Sequence, residues 1–200
     1  MGRACAKQVE YIEKLNNDSA SILLNVEKNL KRDLPYFTPQ PAHDRYALIV
    51  GGGPSLEDTL PDLRKRRRRK AEIFALNGTH DYLRNCNIPP DYHVLLDSRE
   101  DNTCFVEKPH KRTKYLIAAQ CHPAIFDALE GHDVTLWLSD HPGTLEMVEG
   151  ITEKPVVLVG GGNTVGLKTL YVAYLMGYRR FHLYGFDSCY RGDDNHAYPQ

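Results

Sequence analysis

From Tyr46 onward the sequence alternates short apolar runs with segments of helical pattern, and this alternation limits the folds that the chain can adopt. Continuous apolar runs of this length are typical of strands buried on both faces, as in parallel sheets. The predicted strands are 46–50, 73–76, 92–96, 115–118, 134–138, 156–159 and 181–184. The predicted helices are 56–69, 79–85, 123–130, 143–149 and 164–176. The pattern predicts an α/β fold, Rossmann-like and doubly wound, with a mostly parallel sheet and helices on both faces.

The first part of the chain has a different pattern. Apolar residues recur at helical spacing over 4–32, and the polar residues 16–19 interrupt them, so two helices are expected there. Pro35, Pro39 and Pro41 then indicate a loop. We therefore divide the chain into an N-terminal helical extension with a proline-rich linker, residues 1–42, and an α/β domain, residues 43–200.

Two of the predicted strands each end in a triple glycine that precedes a predicted helix. The two turns are Gly51-Gly52-Gly53-Pro54-Ser55 and Gly160-Gly161-Gly162-Asn163-Thr164. Glycine lets the backbone approach a ligand closely, and the start of a helix offers free N–H groups and a positive dipole. Together the turns predict a pocket for a polyphosphate. The alternative for each is a tight turn in which Ser55, Asn163 or Thr164 caps the following helix.

Neither turn matches a standard nucleotide fingerprint. The first has Leu56 where the dinucleotide motif has its third glycine, so a redox NAD site is not expected. In the second, Lys168 follows Gly166 one residue too late for a P-loop. On a helix that shift rotates the lysine by about 100°.

Polar residues also follow three other predicted strands. Asn77 follows strand 73–76, Asp97 follows strand 92–96, and Asp187 follows strand 181–184. In open α/β sheets, ligands bind outside the carboxyl ends of the strands, so we expect these residues in one site with the glycine turns. A carboxylate there can bind a ribose hydroxyl, hold a divalent cation or act as a base. The alternatives are a turn residue for Asn77 and helix capping for the two aspartates.

The loop that begins at Asp187 combines acidic, basic and aromatic residues directly after a core strand. His196 in this loop is a candidate general base for a substrate hydroxyl, because its unperturbed pKa lies near neutrality. An exposed loop histidine without function is the alternative. The other histidines show no metal-ligand spacing. The chain stops at Gln200, which leaves either a missing terminal segment or a short domain.

Composition limits the partners and the compartment. The net charge is −1, so we expect neither nucleic acid nor a membrane as a partner. Residues 64–70 are all basic, and we interpret them as a solvated helix end. The chain has 5 cysteines without a Cys-x-x-Cys pair, no apolar stretch long enough to span a membrane and no apolar signal-peptide centre. These features predict a cytoplasmic protein with reduced thiols. A homo-oligomer is left open.

The strand-end motifs resemble those of the MptE-like proteins, a family once described as domain of unknown function 115. It includes archaeal 6-hydroxymethylpterin diphosphokinases and motility accessory factors that glycosylate flagellin. The matching segments, over approximately residues 46–198, are 49–56 (IVGGGPSL), 74–78 (FALNG), 90–97 (PDYHVLLD), 162–165 (GNTV) with Gly177-Tyr178, and 183–187 (LYGFD). Bacterial sialyltransferases are similar more distantly, through a Gly-x-Gly-Pro-Ser opening, and Gly52 stands where they have asparagine. In them the opening motif and the second-strand asparagine contact a cytidine nucleotide, and a later histidine is the base.

The resemblance implies a nucleotide-dependent transferase with a small-molecule acceptor. The first interpretation is transfer of diphosphate from ATP to a hydroxymethyl group of a pterin-like acceptor, with Mg²⁺ held partly by Asp97 or Asp187. The second is transfer of a sugar from a nucleotide donor, with His196 or Asp187 deprotonating the acceptor. The third is a nucleotide-binding protein without chemistry. The acceptor, the nucleotide and the need for metal are not determined by the sequence.

Overall fold

The computed structural model describes residues 18–67, 70–152 and 156–198. The strands are β1 (Tyr46–Val50), β2 (Ala71–Leu76), β3 (Tyr92–Leu95), β4 (Lys114–Ala118), β5 (Val134–Ser139), β6 (Leu158–Val159) and β7 (Arg180–Tyr184). The helices are α1 (Ser19–Leu30), α2 (Leu56–Arg67), α3 (Thr79–Asn85), α4 (Pro123–Ala128), α5 (Thr144–Ile151) and α6 (Val165–Leu175), with a 3₁₀ helix at Glu100–Val106.

All seven strands pair in parallel, in the order β6-β5-β4-β3-β2-β1-β7. The predicted doubly wound α/β fold is therefore confirmed. The chain adds strands in one direction from β1 to β6, and α6 then leads back to β7 on the other side of β1. The order thus reverses between β1 and β7.

The central strands are largely apolar because both of their faces are covered. In β1, Leu48 and Val50 pack in one core cluster with the apolar face of α2. Ala47 and Ile49 point to the opposite face and pack in the larger cluster, which includes Val172 of α6. Side chains alternate across a strand, so a continuous apolar run covers two cores at once.

The N-terminal extension includes a helix that is part of the core. Asp18 caps α1 by accepting a hydrogen bond from the Ser21 N–H at 2.9 Å. The side chain of Asn29 is fully buried, and its amide donates to the carbonyls of Ala119 and Cys121, both at 2.8 Å. Helix α1 is therefore hydrogen-bonded to the loop after β4. The first predicted helix of the extension falls in residues 1–17, outside the described part.

Two differences from the predicted elements concern the least periodic segments. The 3₁₀ helix at Glu100–Val106 was not expected, since it is too short to show a helical period. Strand β6 has only 2 residues and lies at the edge of the sheet. Helix α2 is described as far as Arg67, and Arg66 pairs with Asp62 at 2.7 Å on its solvated side. Among the described residues, no helix has both the length and the apolar character needed to cross a bilayer.

Candidate active site

The carboxyl ends of β1 and β7 form the floor of the candidate site. These two strands are neighbours, and the strand order reverses between them. In open α/β sheets, ligands bind at such a switch point, outside the carboxyl ends of the strands. The first triple glycine follows β1, and Gly185, Phe186 and Asp187 follow β7. The two turns lie side by side.

The first glycine turn is bonded to the β7 turn. The Gly51 N–H donates to the Tyr184 carbonyl at 2.8 Å, and the Gly53 N–H donates to the Gly185 carbonyl at 2.9 Å. A Cβ on Gly51 would lie 2.7 Å from the Gly185 oxygen. The glycines are therefore required by the close approach of two segments of the chain itself, and two of the N–H groups expected to hold phosphate are already used.

Asp187 occupies the start of α2. Its carboxylate accepts the Ser55 N–H at 2.6 Å and also accepts the Ser55 hydroxyl. A negative charge at this position satisfies an unpaired helical N–H and complements the helix dipole. Both carboxylate oxygens are thus engaged with Ser55, and Pro54 between the glycines and Ser55 has no N–H to offer.

A cavity of about 350 Å³ opens above these turns. It is lined by residues from both turns, from the start of α6 and from the C-terminal loop: Gly51, Gly52, Gly53, Leu76, Asn77, Thr164, Val165, Gly166, Gly185, Phe186, Ser188, Asn195, His196 and Tyr198. Of the residues predicted for the site, the structure brings together the first triple glycine, Asn77, Thr164 and His196. The other predicted residues, which the structure also describes, lie outside the cavity wall: Pro54, Ser55, Asp97, Gly161, Gly162, Asn163 and Asp187.

The second glycine turn leads the chain into α6, and of its residues Thr164 lines the cavity whereas the three glycines do not. Gly161 and Gly162 have φ values of 94° and 113°, which other residues rarely adopt. Thr164 is the N-cap, and its hydroxyl accepts the Leu167 N–H at 3.3 Å. Val165 and Gly166 then present the N-terminus of α6 to the cavity. The positive end of the helix dipole therefore faces the space above the first glycine turn.

Asn77 reaches the cavity from a strained turn that a buried histidine supports. Its φ is 48°, and its carbonyl accepts a hydrogen bond from Nε2 of His93 at 2.9 Å. His93 is fully buried and stacks on His80 with ring centroids 4.4 Å apart. Burial first, and then the neighbouring His80, lower the pKa of His93 well below its usual range. The neutral ring therefore keeps its Nε2–H for the Asn77 carbonyl.

His196 lies on the opposite wall, in the C-terminal loop. Its Nδ1 is 2.7 Å from the side-chain oxygen of Asn195. Since a carbonyl oxygen only accepts, Nδ1 carries the proton of the neutral ring and Nε2 keeps a lone pair. The loop is tied down beside it, because the Ala197 N–H donates to the Gly52 carbonyl at 2.9 Å. His196 is thus placed over the first glycine turn with a basic nitrogen available.

The predicted carboxylates do not form a metal site as placed. Asp97 accepts hydrogen bonds from the guanidinium of Arg99 on both oxygens, at 3.0 to 3.2 Å, and Asp187 is engaged with Ser55. Within residues 18–67, 70–152 and 156–198, no three histidine, cysteine or acidic side chains are grouped to hold a metal ion. The two aspartates therefore do not fit a shared Mg²⁺ in this arrangement, and Mg²⁺ stays a prediction from the sequence.

The sequence did not single out several residues that line the cavity. Gly166 lies inside a helix, and a Cβ there would approach the Phe186 ring to 2.7 Å. A glycine in an otherwise apolar helix was the available signal for a close contact. Tyr198 also lines the cavity, and its hydroxyl is 3.0 Å from that of Thr79. No sequence pattern connects these two distant positions.

Comparisons with known proteins agree with the resemblance inferred from the motifs. A family model described as 6-hydroxymethylpterin diphosphokinase MptE-like matches residues 20–193. Among solved structures, the chain is similar to the MAf glycosyltransferase from Magnetospirillum magneticum AMB-1, with 19% identity and a TM-score of 0.68. The similarity covers 86% of this chain and 28% of that one, so the chain spans about a quarter of that protein. No protein with a curated function matches significantly.

Proposed function

The chain belongs to the MptE-like family, and from this premise we propose that it is a nucleotide-dependent transferase whose site is the cavity between the β1 and β7 turns. The observation that carries the proposal is the convergence of the α6 N-terminus, Asn77 and His196 on this one cavity. The helix end supplies positive potential and N–H groups for phosphate oxygens. His196 supplies a base.

The phosphate position in this proposal differs from the one that the glycine pattern suggested. The N–H groups of Gly51, Gly53 and Ser55 are bonded within the chain. We therefore place the phosphates at Val165 and Gly166, the first residues of α6, which face the cavity. The first glycine turn then acts as a floor whose lack of side chains leaves room for the ligand.

The first candidate reaction is transfer of diphosphate from ATP to a hydroxymethyl group of a small, pterin-like acceptor, which the family description supports. The acceptor oxygen bonds to the β-phosphorus, the bond from the β-phosphorus to the α–β bridging oxygen breaks, and AMP leaves. Nε2 of His196 takes the hydroxyl proton. Positioning and charge stabilisation at the helix end provide the rest of the catalysis.

The second candidate is sugar transfer, supported by the structural similarity to a glycosyltransferase. The acceptor oxygen bonds to the sugar carbon that carried the nucleotide, the bond from that carbon to the phosphate oxygen breaks, and the nucleotide leaves. His196 again removes the acceptor proton. The same cavity serves both reactions, since in each the leaving group is a phosphate that needs stabilisation.

A binding panel tests the proposal and separates the candidates. Melting temperatures are measured with ATP, GTP, CTP, CMP and UDP, each with and without Mg²⁺. Stabilisation by nucleoside triphosphate with Mg²⁺ supports diphosphate transfer, and stabilisation by CMP or UDP without metal supports sugar transfer. If no nucleotide raises the melting temperature, the proposed function is wrong.

Variants in the C-terminal loop separate an enzyme from a binding protein. His196→Ala should retain nucleotide binding and lower turnover by about 100-fold or more, the usual contribution of a general base. Tyr190→Ala is the matched control, because Tyr190 lies in the same loop, is 70% exposed and does not line the cavity. If the two variants have equal turnover, His196 is not the general base.

A further inference from the structure

A second cavity adjoins the candidate site and has a different chemical character. It has a volume of about 810 Å³ and lies between α3, the 3₁₀ helix and the end of the C-terminal loop. We call it the side chamber. Three aromatic rings line it, from Tyr82, Phe105 and Tyr198. The cavity above the glycine turns also has two aromatic rings in its lining, Phe186 and Tyr198, but it adds the backbone of the first triple glycine and the N-terminus of α6.

The two spaces share a floor and a wall. Asn77 lines the cavity, and the next residue, Gly78, lines the side chamber, so their Cα atoms are about 3.8 Å apart. Tyr198 lines both spaces. A ligand that lies across the turn after β2 therefore contacts both the cavity and the side chamber.

Two of the aromatic rings, Tyr198 and Phe105, contact the position of Gly78, which lines the side chamber and has no side chain. A Cβ on Gly78 would lie 3.1 Å from the Tyr198 ring and 3.2 Å from the Phe105 ring. Gly78 has φ −62°, an ordinary helical value, so its backbone does not require glycine. The absence of a side chain instead lets the two rings pack closely against the Gly78 backbone.

The rings are held in place. Tyr198 stacks on Tyr82 with ring centroids 5.2 Å apart, and its hydroxyl is 3.0 Å from the hydroxyl of Thr79. Phe105 packs against the main core cluster. Fixed aromatic faces bind planar rings by stacking at a small entropic cost. Asn85 and Arg99 add hydrogen-bonding groups to the lining of the side chamber.

We propose that the side chamber binds the base of the nucleotide whose phosphates lie at the α6 N-terminus, with the base stacked at Phe105 and Tyr198. This inference rests on the proposed function. A nucleotide has an anionic half and a planar aromatic half, and the two adjoining spaces provide a positive helix end and aromatic faces respectively. The smaller cavity alone, at about 350 Å³, lies at the low end for ligand pockets.

Calorimetric titration tests this placement with probes that contain or lack the base. ATP, CTP and inorganic triphosphate are titrated into the wild-type protein and into Phe105→Leu and Gly78→Ala. Phe105→Leu keeps an apolar side chain and removes the aromatic face, and Gly78→Ala adds a methyl group that must displace the Tyr198 and Phe105 rings. Phe181→Leu is the matched control, since Phe181 is partly buried in β7 and does not line the chamber.

Both chamber variants should bind ATP or CTP at least about fivefold more weakly, the lower end for loss of one base–aromatic stack. Affinity for inorganic triphosphate should stay within about twofold of wild type, because it has no base to stack. Equal weakening of nucleotide and inorganic triphosphate would overturn the placement, and so would unchanged nucleotide binding. In either case the proposed function stands, provided that the wild-type protein binds nucleotide. If the wild-type protein binds no nucleotide, the placement of the base and the proposed function are both wrong.

Discussion

Gly51→Ala adds a methyl group where the backbone of the β7 turn passes. The new Cβ would lie 2.7 Å from the Gly185 oxygen, 0.7 Å inside the 3.4 Å at which ordinary contact begins. That oxygen accepts the Gly53 N–H at 2.9 Å, so it cannot rotate away as a side chain would. Gly51 does not have a positive φ, and alanine is acceptable for its backbone. The cost is therefore steric.

Overpacking of a rigid site costs about 1–3 kcal/mol, and a backbone contact belongs to the upper half of that range. In a chain of this size, 1 kcal/mol lowers the melting temperature by about 2–4 °C. Gly51→Ala should therefore melt about 4–12 °C below wild type. Gly52→Ala should lose less, because its Cβ meets side-chain atoms of Tyr198 and His196 and not a hydrogen-bonded backbone oxygen.

Differential scanning fluorimetry without ligand measures these shifts, and urea unfolding provides the free energies. Gly150→Ala is the control: Gly150 lies in α5, and nothing is within 4 Å of its Cβ position. Alanine has a higher helix propensity than glycine, so Gly150→Ala should raise the stability of the protein by up to about 1 kcal/mol. If Gly51→Ala keeps the wild-type melting temperature and only loses nucleotide binding, the glycine serves ligand approach, and the argument from the β7 contact is wrong.

Three further predictions concern buried groups. Lys168 is 2% exposed, pairs with Asp140 and also donates to the Val159 carbonyl at 2.7 Å. Asp140→Ala removes the carboxylate that pairs with this buried ammonium and should destabilise the protein by about 1–3 kcal/mol in urea unfolding; an unchanged midpoint would contradict this. Because the pKa of His93 is lowered in the folded state, the unfolded chain takes up the proton first, and stability should fall as pH decreases from about 7 to 5, by up to about 1.4 kcal/mol per unit. His93→Gln should lose less over the same range, and equal slopes would refute the assignment. Burial raises the pKa of the Cys121 thiol, so a thiol reagent should modify exposed Cys189 in the native protein and Cys121 only after unfolding, as peptide mapping would show.

The fold was predictable because its signals are local. A strand covered on both faces is a nearly continuous apolar run, and β1 shows such a run directly. The alternation of strands and helices then allows few topologies, since parallel connections need crossovers. Strand β6 was overestimated because an edge strand of 2 residues has no periodicity to read.

The site was predictable only in outline. The rule that ligands bind at the carboxyl ends of parallel strands brought Asn77 and the first triple glycine to one place. It did not give the partner of each group. The Asp187 carboxylate binds Ser55, 132 residues away in sequence, and sequence spacing carries no information about such a contact.

The sequence by itself determined the family, the parallel sheet and the edge at which the site lies, because these follow from periodicity and from motifs at strand ends. Only the tertiary structure decided what the triple glycines do. The first turn is bonded to the β7 turn through the N–H groups of Gly51 and Gly53, and the second turns the chain into α6, whose first residues line the cavity. A glycine permits close approach, but the atom that approaches is set by the packing of distant segments.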